Sequence, residues 1–244
     1  MVAVTPTKEL NMTDPRHLLL VGTGPGLGAA IARRFARERY RLTLVARSEA
    51  TIAQELRAAG ADVSLIEADA GDAERLRAAL SPLFAGPGAP GVVIYNAALM
   101  TFDDLLTVSA EQLADAYAVD VIGGVLTAQL AVPAMRAAGG GTLLFTGGGF
   151  ADALPPMLAT LSLGKVALRA AATMLARQLR DDDIHAGSVT ILGQIAAGTP
   201  FDPDGIADAY WAICNEPPDA WREEYRFEGA QEPESAGPVA RAAS

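Results

Sequence analysis

Short apolar runs bounded by turn residues alternate along this chain with longer stretches whose apolar positions recur at helical spacing. His17 to Val21 is the first such run and predicts a buried parallel strand. Ile31 and Phe35, one helical turn apart, predict a helix laid against a sheet. The same alternation predicts strands at Arg41 to Ala46, Asp62 to Ala68, Val92 to Tyr95, Gly141 to Thr146 and Ile184 to Leu192, with Trp221 to Phe227 as an edge strand. Shorter helices are predicted at Glu49 to Ala59, Asp72 to Leu80 and Ile206 to Asn215. A long helix runs from Ser109 to Ala138, with Ser109 and Gln112 at capping-box spacing and Pro133 as a bend; a second runs from Pro156 to Arg180. The stretch from Ser81 to Gly91, punctuated by proline and glycine, reads as loop.

Strands that alternate with helices imply a parallel sheet covered on both faces. The expected fold class is therefore α/β: a single-domain, Rossmann-like, doubly wound parallel sheet of about seven strands flanked by helices. That domain spans 16–228. Residues 1–15 are expected to form a flexible N-terminal arm, and 229–244, almost without apolar side chains, a disordered tail. Ligands of such sheets bind in the crevice at the C-terminal ends of the strands. There the first strand breaks into Gly22-Thr23-Gly24-Pro25-Gly26-Leu27-Gly28 before the first helix. Glycine allows a tight turn and a close approach to a pyrophosphate, which the helix N-terminus holds through free N–H groups and its positive dipole. A turn with no ligand would use the same residues, so later positions must decide.

The chain has 244 residues, half of them apolar, enough for one sizeable core. Its formal charge of −10, without a basic cluster, argues against a nucleic-acid partner. The single Cys214 excludes a disulfide framework and fits a reducing compartment. No apolar run is read as reaching the roughly 18–20 residues needed to span a bilayer, and no apolar leader follows Met1, so a cytoplasmic protein without a membrane partner is expected. No His, Cys or acid grouping has metal-ligand spacing. His17 and His185 each begin a strand, on the side away from the expected crevice.

Taken in order, the motifs resemble those of the short-chain dehydrogenase/reductase family over about residues 17–228. Val21 to Gly28 corresponds to the family's TGxxxGxG, with Val for Thr; Asn96-Ala97-Ala98 corresponds to NAG, with Ala for the final Gly. Asp69 follows the third strand, Lys165 stands where the lysine of YxxxK belongs, and Leu192-Gly193 replaces a Pro-Gly pair. The resemblance implies that Gly22, Thr23, Gly24, Gly26, Leu27 and Gly28 cradle a dinucleotide. It also implies that Asp69, with Ala70, meets the adenine, and that Asn96, Ala97, Ala98, Lys165 and Gly193 complete the cofactor site. The second strand ends Ala46-Arg47-Ser48 with no acid to bind both ribose hydroxyls. Arg47 has a planar fork able to pair with a 2′-phosphate, beside Ser48, so NADP(H) is the expected cofactor.

The same resemblance shows where the chain departs. The family's tyrosine donates or takes the proton at the substrate oxygen, a serine orients the carbonyl, and an asparagine lies in the preceding long helix. Those positions are Leu161, Gly148 and Asp120 here, and leucine has no proton to give. The remaining catalytic candidates are Lys165, Asp120, Thr146 at the end of the fifth strand, and Ser162, which shares a helical face with Lys165. Asp120 beside Lys165 forms an ion pair or a proton relay. Asp152 in the following loop, Tyr95, Tyr210 and Trp211 have core or solvated readings as well as site readings. Three functions stay open. The first is an NADPH-dependent oxidoreductase acting on an imine, iminium or activated alkene in a small apolar molecule. The second is a non-redox isomerase, cyclase or dehydratase on the same fold. The third is a catalytically silent binding subunit. The two long helices are rich in alanine, a face for a second copy or for the sheet, and the family resemblance implies a homodimer or homotetramer built through them.

Overall fold

A computed structural model describes residues 13–48 and 51–229. Along β1 (Thr13–Val21) Leu18 and Leu20 enter one apolar layer while Leu19 and Val21 enter the other. That alternation, apolar on both faces, is what a central parallel strand requires. β2 (Arg41–Ala46), β3 (Val63–Glu67), β4 (Ala89–Tyr95), β5 (Gly141–Gly148), β6 (Ile184–Ile191) and β7 (Glu224–Phe227) complete an all-parallel sheet of order β3-β2-β1-β4-β5-β6-β7.

One face carries α1 (Leu27–Arg37), α2 (Thr51–Ala58) and α8 (Pro203–Cys214). The other carries α3 (Ala73–Ala85), α5 (Gly123–Ala138) and α7 (Ala159–Leu179), with α4 (Ala110–Tyr117) leading into α5 and the single-turn α6 (Phe150–Ala153) preceding α7. The expected class and the β7 edge position are both found. On the α1 side Phe35, Tyr40 and Trp211 meet edge to face at 5.2–5.5 Å, and Arg34 lies over Trp211 while pairing with Asp208 at 2.6 Å. These contacts fix α8 against α1. Strand order reverses at β1, with β2 and β3 added on one side and β4 to β7 on the other, which opens the crevice between β1 and β4 at the strand ends.

Several boundaries differ from the expected ones. β1 begins at Thr13, within the expected arm, because Thr13 and Asp14 pair with Ala89 and Pro90; the same pairing starts β4 at Ala89. The rest of the arm, and the tail from Ala230 on, lie outside the described residues, as do Glu49 and Ala50 of the helix expected from Glu49. The expected loop after Leu80 is helix: α3 runs through Pro82 to Ala85, since Phe84 is buried in the core. Core burial there outweighs the backbone bond lost at proline.

The long helix is interrupted, but well before Pro133. A π turn at Ala118–Ile122, closed by the Gly123 N–H on the Ala118 carbonyl, separates α4 from α5. The capping box of Ser109 and Gln112 is present. Contrary to the sequence reading, Ala110–Ala138 is long and apolar enough by composition to cross a membrane; its Leu126, Ala131 and Met135 are buried against the sheet instead. α7 starts at Ala159 rather than Pro156, with the separate α6 before it.

Candidate active site

The glycine loop works by absence of side chains. Gly22 has φ +93°, and a Cβ there would overlap the backbone N of Ala97 and stand 2.6 Å from its Cα. Gly28 would place a Cβ 2.7 Å from the Gly22 carbonyl, so α1 can start only this close to the loop without one. The Asn96 side-chain amide donates to the Gly22 carbonyl at 2.8 Å, and Gly22 and Thr23 donate to Val45 at 3.0 Å. These bonds tie the ends of β1, β2 and β4 together. Around Gly24 and Gly26 nothing among the described residues stands within 4 Å of where a Cβ would be, which leaves their backbone open to a ligand.

The result is a cleft of about 720 Å³ at the switch between β1 and β4. Gly22, Thr23, Gly24, Gly26, Leu27, Gly28, Arg47, Ser48, Asp69, Ala70, Asn96, Ala97 and Ala98 all line it. The Asp69 carboxylate accepts from the Gly71 N–H at 2.9 Å, which shapes the loop after β3. Arg33 and Glu55 also line the cleft and were not singled out in the sequence. Their helical positions look like ordinary solvated faces, and only the packing of α1 beside α2 brings them here.

Two expected cofactor residues stand apart from these walls. Lys165 is buried in the α7 layer, and Gly193 lies against the ring of Phe201, whose atoms occupy the space a side chain would take. Phe201 in turn meets Phe227 edge to face.

Lys165 donates from Nζ to the Thr146 carbonyl at 2.8 Å. Burial holds its pKa below the ordinary lysine value, and the charge of Asp120 opposes that. Asp120 is fully buried at the π turn. Its Oδ1 accepts from the Leu99 N–H at 2.7 Å, while Oδ2 has no partner among the described residues. Burial pushes its carboxyl up to about 6, against the Leu99 bond and the Lys165 charge. α7 reaches this carboxyl through Gly164, where a Cβ would stand 2.6 Å from Oδ2. Tyr95 donates to the Val119 carbonyl inside the same turn, and burial raises its pKa. Asp120 and Lys165 thus share a buried region and feel each other's charge, while the bonds among the described residues run from Lys165 to Thr146 and from Leu99 to Asp120.

The other candidates come out differently. The Thr146 hydroxyl bonds Tyr210 at 2.7 Å on the opposite face of the sheet, because it follows Leu144 in the strand's alternation; only its carbonyl serves Lys165. Ser162 is buried and returns its hydroxyl to the Leu158 carbonyl at 2.8 Å, a local helix bond. Asp152 is paired with Arg169 and Arg226, and Trp211 packs with Phe35. Leu161 is buried in α7, and no tyrosine lines the cleft among the described residues. His17 bonds Gly88 and Thr43, and His185 bonds Tyr225 and stacks on Trp221, both remote from the cleft.

Residues 16–197 match the family described as short chain dehydrogenase. The oxidoreductase asL5 of Sarocladium schorii is 24% identical over 190 residues, covering 78% of this chain and 75% of that protein. Among solved structures, a short-chain dehydrogenase from Rhodopseudomonas palustris superimposes with a TM-score of 0.77 at 26% identity, covering 86% of this chain and 97% of that one. The alcohol dehydrogenase of the archaeon Thermococcus sibiricus, complexed with 5-hydroxy-NADP, gives 0.76 at 26% identity, covering 89% and 98%.

Proposed function

The chain belongs to the short-chain dehydrogenase family, and on that premise we propose that it is an NADP(H)-dependent oxidoreductase whose reaction does without the usual tyrosine. The observation that carries this reading is the cleft itself, which gathers the glycine loop, Arg47, Ser48, Asp69 and Asn96 around one volume. Its residues fit a dinucleotide: the backbone at Gly24 and Gly26 is open for a pyrophosphate, and Arg47 offers a fork for a 2′-phosphate at the tip of β2. The relative complexed with an NADP derivative supports the same choice.

When bound, the reduced nicotinamide supplies a hydride, chemistry that belongs to the cofactor. The protein's part is position and charge. Lys165 is a buried cation anchored on the Thr146 carbonyl, and Asp120 is the buried carboxyl that balances it. With Leu161 and Gly148 in place of tyrosine and serine, no strong acid meets a substrate carbonyl. A carbon that is already electrophilic, in an iminium ion or an activated alkene of a small apolar molecule, needs no such acid. An iminium ion takes hydride without a proton; an activated alkene needs one, supplied by Lys165, water or a substrate hydroxyl. The working unit is 16–228, assembled as a homo-oligomer through its long helices, of which α7 exposes Leu163, Val166 and Met174.

Titration with NADPH and NADH, followed by nicotinamide fluorescence, tests the reading. Tight NADPH binding, weak NADH binding, and loss of the difference in Arg47→Ala are expected. Failure to bind either dinucleotide would overturn it. The unpartnered Oδ2 of Asp120 favours a second reading in that event, a non-redox acid–base enzyme.

A further inference from the structure

Four charged side chains line the cleft among the described residues: Arg33, Arg47, Glu55 and Asp69. Asp69 is engaged with its own loop through Gly71. The other three belong to the region beyond β2, where Arg47 follows the strand, α1 supplies Arg33 and α2 supplies Glu55. Nη2 of Arg33 stands 3.0 Å from Oε2 of Glu55, and the two side chains are 41% and 51% exposed. An exposed pair of this kind adds little to stability. Its place in the cleft wall has more consequence than its strength. A guanidinium matches a phosphate monoester through two parallel bonds, and at Arg33 a carboxylate already holds one arm of that fork.

We propose that Glu55 competes with the 2′-phosphate of the dinucleotide for Arg33, so that the pair acts as an internal brake on anion affinity. The inference rests on the NADP(H) reading. Binding exchanges one partner of Arg33 for another. The carboxylate turns to solvent, which its exposure allows, and Arg33 together with Arg47 would then hold the phosphate. Because an exposed ion pair is weak, the brake is modest and reversible. It also gives Glu55 a sign opposite to that of an acid holding the ribose hydroxyls, whose removal would weaken the ligand without the phosphate.

Calorimetric titration of the full chain with adenosine 2′,5′-bisphosphate and adenosine 5′-monophosphate, at low salt, isolates the phosphate in question. Glu55→Gln is expected to tighten the bisphosphate about threefold to fivefold, the worth of a surface pair, with the monophosphate unchanged. Arg33→Gln is expected to weaken the bisphosphate about tenfold, with partial recovery in Arg33→Lys. In the double variant Glu55→Gln should bring no gain, since the fork it frees is gone. A gain that persists without Arg33, or a Glu55→Gln variant with unchanged preference, would overturn the competition. A wild-type protein that binds both probes equally would instead sink the NADP(H) reading, and this inference with it.

Discussion

Replacing Asp120 with asparagine should stabilise the protein, and by an amount that grows with pH. In the folded chain burial raises this carboxyl from the ordinary 3.8 to about 6, so between those values the native state holds a proton that the unfolded chain has released. Ionising Asp120 above that range therefore costs folding free energy, about 3 kcal/mol at roughly 1.36 kcal/mol per pH unit. The cost is absent below pH 3.8, builds through the interval and is complete above pH 6. Asparagine keeps the acceptor for the Leu99 N–H and carries no charge. The loss of the opposing charge beside Lys165 works against the gain at neutral pH, so the slope decides the matter rather than the intercept. Urea unfolding of both proteins at closely spaced pH values gives the difference curve, in which the other titrating groups largely cancel. A difference that rises from pH 4 to 6.5 and then levels is the expected result. A flat or falling difference would show that Asp120 ionises as easily in the fold as in water, and the charge argument for the Lys165 region would fail.

His185 has the opposite sign. Its pKa is lowered from 6.5 to about 4 by burial, so its neutral form contributes about 3 kcal/mol that is present above pH 6.5 and lost as pH falls towards 4; His185→Gln should flatten that part of the unfolding profile. Gly22→Ala must place a Cβ against the Ala97 backbone at φ +93°, and should cost roughly 2–4 kcal/mol in urea unfolding together with dinucleotide binding. Gly148 has no atom nearer than 3.7 Å to a built Cβ, so Gly148→Ser should fold normally. Combined with Leu161→Tyr, it should confer NADPH-dependent reduction of a simple ketone, measured as loss of NADPH absorbance. A wild-type enzyme that reduces the ketone equally well would refute the assigned role of the missing pair.

The layers and the cleft were legible because their signals are local. Apolar runs such as Leu18 to Val21 declare buried strands, and the glycines from 22 to 28 declare a close approach. Side-chain direction was less accessible. Thr146 sits at the expected strand end, yet strand alternation sends its hydroxyl to Tyr210, and only the backbone faces Lys165. Pro82 suggested a helix end because the burial of Phe84, which overrides it, is a tertiary fact. Arg33 and Glu55 reach the cleft through the packing of two helices, and no spacing within either helix reports that.

The π turn at Ala118–Ile122 differs from these features in kind, because it is written in the count of residues. One residue beyond an α-turn shifts the angular phase of all that follows, which brings Gly123 and Gly124 towards Tyr95. Point substitutions leave that count untouched. Deleting a single residue would instead wind the segment into continuous α-helix and turn the Asp120 side chain away from Leu99. The length of this segment should thus tolerate change far less than its composition does.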